Sequence, residues 1–235
     1  MGPSTDIPAL VIVIDDIGHR LDTGRRSAHL PGRITLAVLP FTPHGAQLAL
    51  AGKATGKEII LHAPMSSLGD EHVTDPDVLD TRLDQNQFLS LLGRQLDAVP
   101  HVQGANNHMG SELTAAAEPM SWLMSELARR GLYFIDSRTT ADTVAAQAAA
   151  DNGVPHLSRR VFLDNDTDPA AIEERFEFAI TEARRLGVAV AIGHPYPETV
   201  TVLQRKLPEL AGRSVRLAWA SEWVSTAGGA RNTQR

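Results

Sequence analysis

The stretch Ala9-Leu-Val-Ile-Val-Ile14 contains no polar residue, and it runs straight into Asp15-Asp16 and, one residue later, Gly18. A strand with one wet face alternates apolar and polar side chains. An unbroken, β-branched run is a strand covered on both faces, as in a parallel sheet wrapped by helices. Similar runs recur at 34–39, 58–61, 132–135 and 188–192, with weaker ones at 102–105, 161–163 and 215–219.

Helical patterns fill the intervals. Asp84 is placed to cap a helix with Phe88, Leu91, Leu92, Gln95 and Leu96 on one face, ending at Pro100. A helix over about 115–130 buries Met120, Leu123, Met124 and Leu127 and stops at Gly131. Asp168-Pro169 opens another over 170–186, and Thr42-Pro43 reads as a cap and first-turn proline for a helix ending near Gly52 or Gly56. Shorter patterns cover 21–30, 141–150 and 199–207, and 69–81 reads as a long polar loop. Seven or eight βα units in a row imply a parallel sheet, closed or doubly wound. The expected fold is therefore α/β, in a single domain. Its core spans 9–225, with 1–8 a leader or domain edge and 226–235 a disordered tail.

Composition removes several classes. The net charge of −6 leaves no basic stripe for nucleic acid. The absence of cysteine excludes disulfides, thiolate metal sites and cysteine nucleophiles. No run reaches the ~18–20 apolar residues that cross a bilayer. Met1-Gly-Pro-Ser-Thr5 lacks the basic start and apolar segment of a signal peptide. The apolar run begins almost at once, as at the edge of a domain, which leaves room for an export signal or anchor upstream. Nothing in the sequence sets an oligomeric state. There is no G-x-G-x-x-G after the first strand, no P-loop and no G-x-S-x-G elbow, so phosphate-cradle and serine-hydrolase chemistry lose their weight.

The unusual polar residues collect at strand ends: Asp15-Asp16, His62, Asn106-Asn107-His108, Asp136 and His194. If the strands are parallel, these ends share one face, where such folds carry out their chemistry. Taken singly, each has a plain alternative. An aspartate can cap a turn, a histidine can be a hydrogen-bonded structural residue, and an asparagine pair can form a tight turn. Two imidazoles and a carboxylate suffice for Zn²⁺ or another divalent ion. No histidine pair has helical i, i+4 metal spacing, so a site must be assembled from separate strands. Asn106 and Asn107 could donate amide hydrogen bonds to a substrate or orient an imidazole. Ser111, at the end of the same stretch, belongs with them. His19 and His44 lie nearest this face; His29, His72, His101 and His156 read as solvated or structural.

With these residues in place the chain resembles the divergent polysaccharide deacetylase family, remote kin of the chitooligosaccharide-deacetylase-like carbohydrate esterases. The resemblance runs from about Ala9 to Val224. It rests on Ile14-Asp15-Asp16-Ile-Gly18, Leu39-Pro-Phe-Thr-Pro43, Leu61-His62-Ala-Pro-Met65, Asn106-Asn-His-Met-Gly-Ser111, Phe134-Ile-Asp136-Ser-Arg138 and Ile192-Gly-His194-Pro195. It implies a distorted (β/α)7-like barrel, a divalent metal of which zinc is the first choice, an acetylated saccharide substrate, and work in the periplasm or cell envelope. It makes Asp15 resemble the general base, Asp16 a metal ligand and His194 the general acid. The esterases draw two zinc histidines from one H-x-x-x-H motif. Here His62 fits the first, but Ser66 stands four residues on, and His108 is the candidate for the second. Asp136 would orient one of these groups or complete the shell. The arginine-proline-tyrosine motif of the esterases is missing. Two rival readings are a saccharide-binding envelope protein without catalysis and a metal-dependent phosphoesterase.

Overall fold

The computed structural model describes residues 7–69 and 75–227. Strands and helices alternate as β1 (Ala9–Ile17), α1 (Leu21–Ala28), β2 (Ile34–Val38), α2 (Gly45–Ala54), β3 (Glu58–Met65), α3 (Gln85–Ala98), β4 (Val102–Met109), α4 (Ala117–Arg130), β5 (Tyr133–Asp136), α5 (Ala145–Asp151), β6 (His156–Phe162), α6 (Pro169–Leu186), β7 (Val188–Gly193), α7 (Pro197–Lys206), β8 (Arg216–Leu217) and α8 (Ala220–Ala227). Each of β1 to β7 pairs in parallel with the next, and β7 returns to β1. The sequence expectation of a single-domain, mainly parallel (β/α)7-like barrel is met. The distortion is a split seam. β2 engages β1 from Ile12 onward, and below it the short β8 takes the same edge at Ala9 and Leu10. No helix among the described residues is long and apolar enough to cross a membrane.

Period-two alternation sorts the strands into two cores. On β1, Leu10, Ile12 and Ile14 join the outer cluster under the helices. Ala9, Val11 and Val13 join the inner cluster with Ile60, Ile135, Val190 and Ile192. Continuing in steps of two along β1, β3 and β7 leads to Asp15, His62 and His194. The barrel interior thus becomes polar at its carboxyl-end mouth.

Several element boundaries differ from the sequence expectation. Asn106, Asn107 and His108 lie within β4 rather than in a loop after it. Thr42 is not a helix cap. Its hydroxyl donates to the Leu39 carbonyl at 3.0 Å, and α2 begins at Gly45. Thr42 so placed leaves room only for glycine at position 18, where a Cβ would stand 2.1 Å from Thr42 Oγ1. The caps expected at Asp84 and Asp168 are both present, the first as a full capping box with Gln87. Within the polar loop, Leu79 hydrogen-bonds alongside β3 at Pro64 and Ser66. The terminal strand shrinks to β8, because helix α8, not expected from sequence, starts at Ala220. Residues 1–6, 70–74 and 228–235 lie outside the described residues, and with them most of the expected leader and tail.

The opposite, amino-end mouth is closed by a buried carboxylate. Glu58 accepts from Thr35 Oγ1 at 2.9 Å, Tyr133 OH at 2.7 Å and the α8 amides of Ala220 at 3.0 Å and Ser221 at 3.2 Å. An anion on a helix amino end satisfies amides that have no partner inside the helix. Burial, with the Glu58 charge beside it, pushes the Tyr133 hydroxyl well above its ordinary range and keeps it a donor. Glu58→Ala strands these donors and should cost ~3 kcal/mol in urea unfolding, since each orphaned buried group loses ~1–3 kcal/mol. A loss below ~0.5 kcal/mol, the level of an ordinary surface change, would show that α8 is held by packing alone.

Candidate metal centre

Adjacent residues of a regular strand point to opposite faces, yet Asp15 and Asp16 both reach His62. Asp15 Oδ2 stands 3.7 Å and Asp16 Oδ1 3.2 Å from His62 Nε2. The backbone makes this possible. The β1–β2 register shifts between Ile14 and Ile17, and Asp16 sits at φ 54° in the left-handed region. That conformation costs ~1–3 kcal/mol for a non-glycine residue, less for aspartate, and recurs where function requires it. Phe41, Met109 and Arg138, also left-handed, lie at or just after the ends of β2, β4 and β5 on this same rim.

The second imidazole comes from the neighbouring strand. β3 and β4 align His62 with Asn106 and Pro64 with His108, so His108 stands one alternation step further out. Its Nδ1 is 3.1 Å from Asp16 Oδ1 and 3.1 Å from His62 Nε2. One carboxylate oxygen and two ring nitrogens therefore form a nearly equilateral triangle.

These residues fit a divalent cation. Ligand atoms around a tetrahedral zinc stand ~3.3 Å from one another, close to the edges observed. Asp16 Oδ1 is buried with no aligned hydrogen-bond donor, an orphan of the kind that a metal relieves. The nitrogen state suits as well. His62 Nδ1 meets Asn106 Oδ1 at 2.8 Å, and Asn106 Nδ2 donates to Asp15 Oδ1 at 2.8 Å. A carboxylate only accepts, so the Asn106 amide orientation is fixed. Its oxygen must then receive the His62 Nδ1 proton, leaving Nε2 bare in the neutral ring. Burial pushes Asp15 upward against the opposing pull of His62 and Asn106. Burial acts likewise on Asp16, but contacts with His108 and His62 outweigh it and hold that carboxyl well below its usual range. For His62 burial lowers the pKa, and Asp15 with Asp16 raises it above the ordinary histidine value.

His194 completes the mouth from β7. Its Nδ1 is 2.9 Å from Asp164 Oδ1, and its backbone amide donates to Asp164 Oδ2 at 2.6 Å. Asp164 also accepts from Thr199 Oγ1 at 2.8 Å. Burial lowers the His194 pKa, but the hydrogen bond and charge of Asp164 prevail and push it up to about 9. Asp164 was not singled out from sequence. Its signal was the one the others gave, a carboxylate just past an apolar strand. Arg159 was missed too. Its guanidinium lies 3.7 Å over the Phe162 ring and donates to the Ser137 and Arg138 carbonyls at 2.6 and 2.8 Å. Its charge acts on Asp136 and Asp15.

The other sequence candidates hold the rim together. Asn107 donates to the Met109 carbonyl at 2.7 Å and accepts from Ser137 N at 2.8 Å. Asp136 accepts from Arg138 N and Thr143 Oγ1, and Ser111 Oγ accepts from Leu68 N. Those contacts tie the ends of β3, β4 and β5 and the turns beyond them to one another, whereas the Asn106 contacts reach His62 and Asp15 directly.

Comparison with known proteins sets this geometry in context. The uncharacterized protein YibQ of Escherichia coli (strain K12) is 38% identical over 201 residues, which is 86% of this chain, and the chain spans 63% of that protein's length. The crystal structure of an uncharacterized protein from Agrobacterium tumefaciens C58 superposes with a TM-score of 0.90 at 20% identity, covering 95% of this chain and 91% of that one. The catalytic domain of a peptidoglycan N-acetylglucosamine deacetylase from Eubacterium rectale ATCC 33656 has a TM-score of 0.59 at 12% identity, covering 100% of this chain and 95% of that one. At such identities these two likenesses speak for the fold. The family described as divergent polysaccharide deacetylase matches residues 12–224, and the chain belongs to that family.

Proposed function

We propose that the chain is a metal-dependent hydrolase that removes acetyl groups from an N- or O-acetylated saccharide of the cell envelope. The observation that carries this reading is the triangle of Asp16, His62 and His108, all three ligand atoms lying within 4.8 Å of one another, with Asp15 behind it and His194 across the mouth. Oxygen and imidazole donors favour zinc. A cation held there supplies Lewis-acid polarisation of the scissile carbonyl and acidifies a water.

The chain's own residues divide the remaining work. Asp15 accepts from Asn106 on one oxygen, and its other oxygen takes the proton from the attacking water. His194, protonated up to about pH 9, gives its Nε2 proton to the departing amine or alkoxide, while Asp164 fixes the ring through Nδ1. Asn106 keeps His62 in the tautomer that a ligand needs. Acetate release from N-acetylchitooligosaccharides by zinc-loaded protein tests the reading. Stoichiometric metal with no acetate released from any N- or O-acetylated saccharide would favour a binding protein instead.

The His194 assignment carries its own pH test. A histidine pKa raised on folding adds stability that is complete below ~6.5, its ordinary value, and fades as pH rises through the folded value. For His194 that value is about 9. The protonated acid is lost over the same window, so kcat/KM should fall on the alkaline side near pH 9. Asp164→Asn removes the charge that holds the proton and should draw this limb down toward ~6.5. An alkaline limb that stays put in Asp164→Asn would remove His194 from the acid role.

A further inference from the structure

Beside His108 a cavity of about 400 Å³ opens onto the rim. Ligand cavities run to ~300–1,000 Å³, and an acetyl methyl would fill only a small part of this one. Its apolar jaws are Phe41 and Met109, which remain 47% and 52% exposed. Both occupy left-handed backbone, φ 57° and 54°, which large side chains adopt only where their surroundings impose it. At Met109 the imposing contacts are plain. Its carbonyl accepts from Asn107 Nδ2 at 2.7 Å and Thr139 Oγ1 at 2.9 Å. At Phe41 the next residue is pinned, Thr42 to the Leu39 carbonyl. Two large apolar side chains on strained backbone thus line one opening and stay about half exposed. The exposed Asp75 and Asp77 line the same cavity, and among the described residues no cationic side chain pairs with either. In its wall Ser66 is buried, its hydroxyl without a partner.

We propose that this cavity is a saccharide subsite for a neutral or cationic sugar ring, the neighbour of the ring whose acyl group lies at the triad. Phe41 and Met109 pack against the apolar ring faces, and Asp75 and Asp77 accept from hydroxyl or ammonium groups. A sugar that carries a carboxylate is repelled. The inference rests on the saccharide reading above, but not on the metal or on turnover.

Calorimetric titration of the chelator-treated full chain tests it, using N-acetylchitotetraose, its fully deacetylated form and tetragalacturonate. The first two should bind, and the third should bind at least ~10-fold more weakly, as expected where like charges meet. Phe41→Ala and Met109→Ala should each weaken N-acetylchitotetraose ~10-fold, the scale of losing one ring contact. Met109→Gly should weaken it as much while holding or raising the melting temperature, because glycine takes φ 54° without strain. The double variant Asp75→Asn/Asp77→Asn should bring tetragalacturonate to within ~3-fold of the neutral tetramer. Equal affinity for the anionic and neutral tetramers of the unmodified chain overturns the proposal, as does undiminished binding in both the Phe41 and Met109 variants. Absent saccharide binding, with metal uptake and acetate release intact, overturns it and leaves the hydrolase reading standing. Binding as expected in a chain that takes up no metal supports the subsite while the hydrolase reading fails.

Discussion

His62→Ala and Asp16→Ala should each lower bound zinc from one ion per chain to less than ~0.1 and acetate release by ~10³-fold or more, since a Lewis acid contributes several kcal/mol to such a step. The two residues supply two of the three corners of the 3.1–3.2 Å triangle, and two corners do not make a site. Asn106→Ala should fall between these variants and the unmodified chain. It touches His62 but offers no ligand atom to the triangle, and loss of a group that orients a ligand costs ~10–100-fold in metal affinity. The order Asp16 and His62, then Asn106, then a distant surface variant is the signature to seek in elemental analysis. Full zinc content in both ligand variants would rule out a centre built on Asp16 and His62.

Metal uptake should also release protons. Without a cation, burial opposes and the two carboxylates favour a proton on His62, and the balance lies above the ordinary histidine value. Lowering the pH through that range sets protons against the ion. In the chelated protein this raised group adds stability below ~6.5 that fades as pH rises through its folded value. Asp16, held low, acts only in the acid range, where its contribution is lost as the pH falls. Zinc should therefore stabilise the chain more at pH 8 than at pH 6, as melting curves in chelator and in zinc would register.

The fold was legible where burial on two faces wrote itself into composition. Val11, Ile12, Val13 and Ile14 announce a strand because both their faces are dry. For the same reason Asp15-Asp16 and His194 stood out as polar residues ending apolar runs. β4 was harder to read. Its inward positions Asn106 and His108 face the candidate centre, so the strand loses its apolar signature there; 102–105 reads as a weak strand, and the half from Asn106 on reads as a loop. The amino end of helix α8 meets Glu58, 162 residues earlier in the chain. Asp164 acquires its role only from His194, 30 residues later. Pairings of that span are made by barrel closure, and no local pattern encodes them. Ser66 stands where the esterase motif would put a second histidine; His108, paired with Pro64 one alternation step beyond His62 on the β3–β4 ladder, brings its ring to 3.1 Å from His62 instead. Register, rather than sequence spacing, delivers the second imidazole.

Asp15→Asn should retain zinc at one ion per chain while kcat falls ~10²–10⁴-fold, the range for a general base. The substitution preserves shape and one acceptor oxygen, so Asn106 Nδ2, now 2.8 Å from Asp15 Oδ1, keeps a partner. It removes the charge alone. Asp15 is buried, with only 3% of its surface exposed, and stands 3.7 Å from His62 Nε2, further than Asp16 at 3.2 Å. That added distance separates a base beside the centre from a ligand within it. Burial raises the Asp15 pKa above the ordinary carboxylate value, which brings a carboxylate closer to useful basicity at neutral pH. The rate should therefore depend on a group ionising above ~4, on an acid limb that Asp15→Asn abolishes together with most of the turnover. The two aspartates then separate cleanly: the Asp16 variant loses metal and rate together, and the Asp15 variant loses rate alone. A zinc-loaded Asp15→Asn chain that still turns over within ~5-fold of the original would move the proton acceptor elsewhere, because a base worth so little falls below the range of such catalysis. Zinc lost from that variant would instead make Asp15 a fourth ligand, and the exchange of a base for a ligand would require a different route for the water's proton.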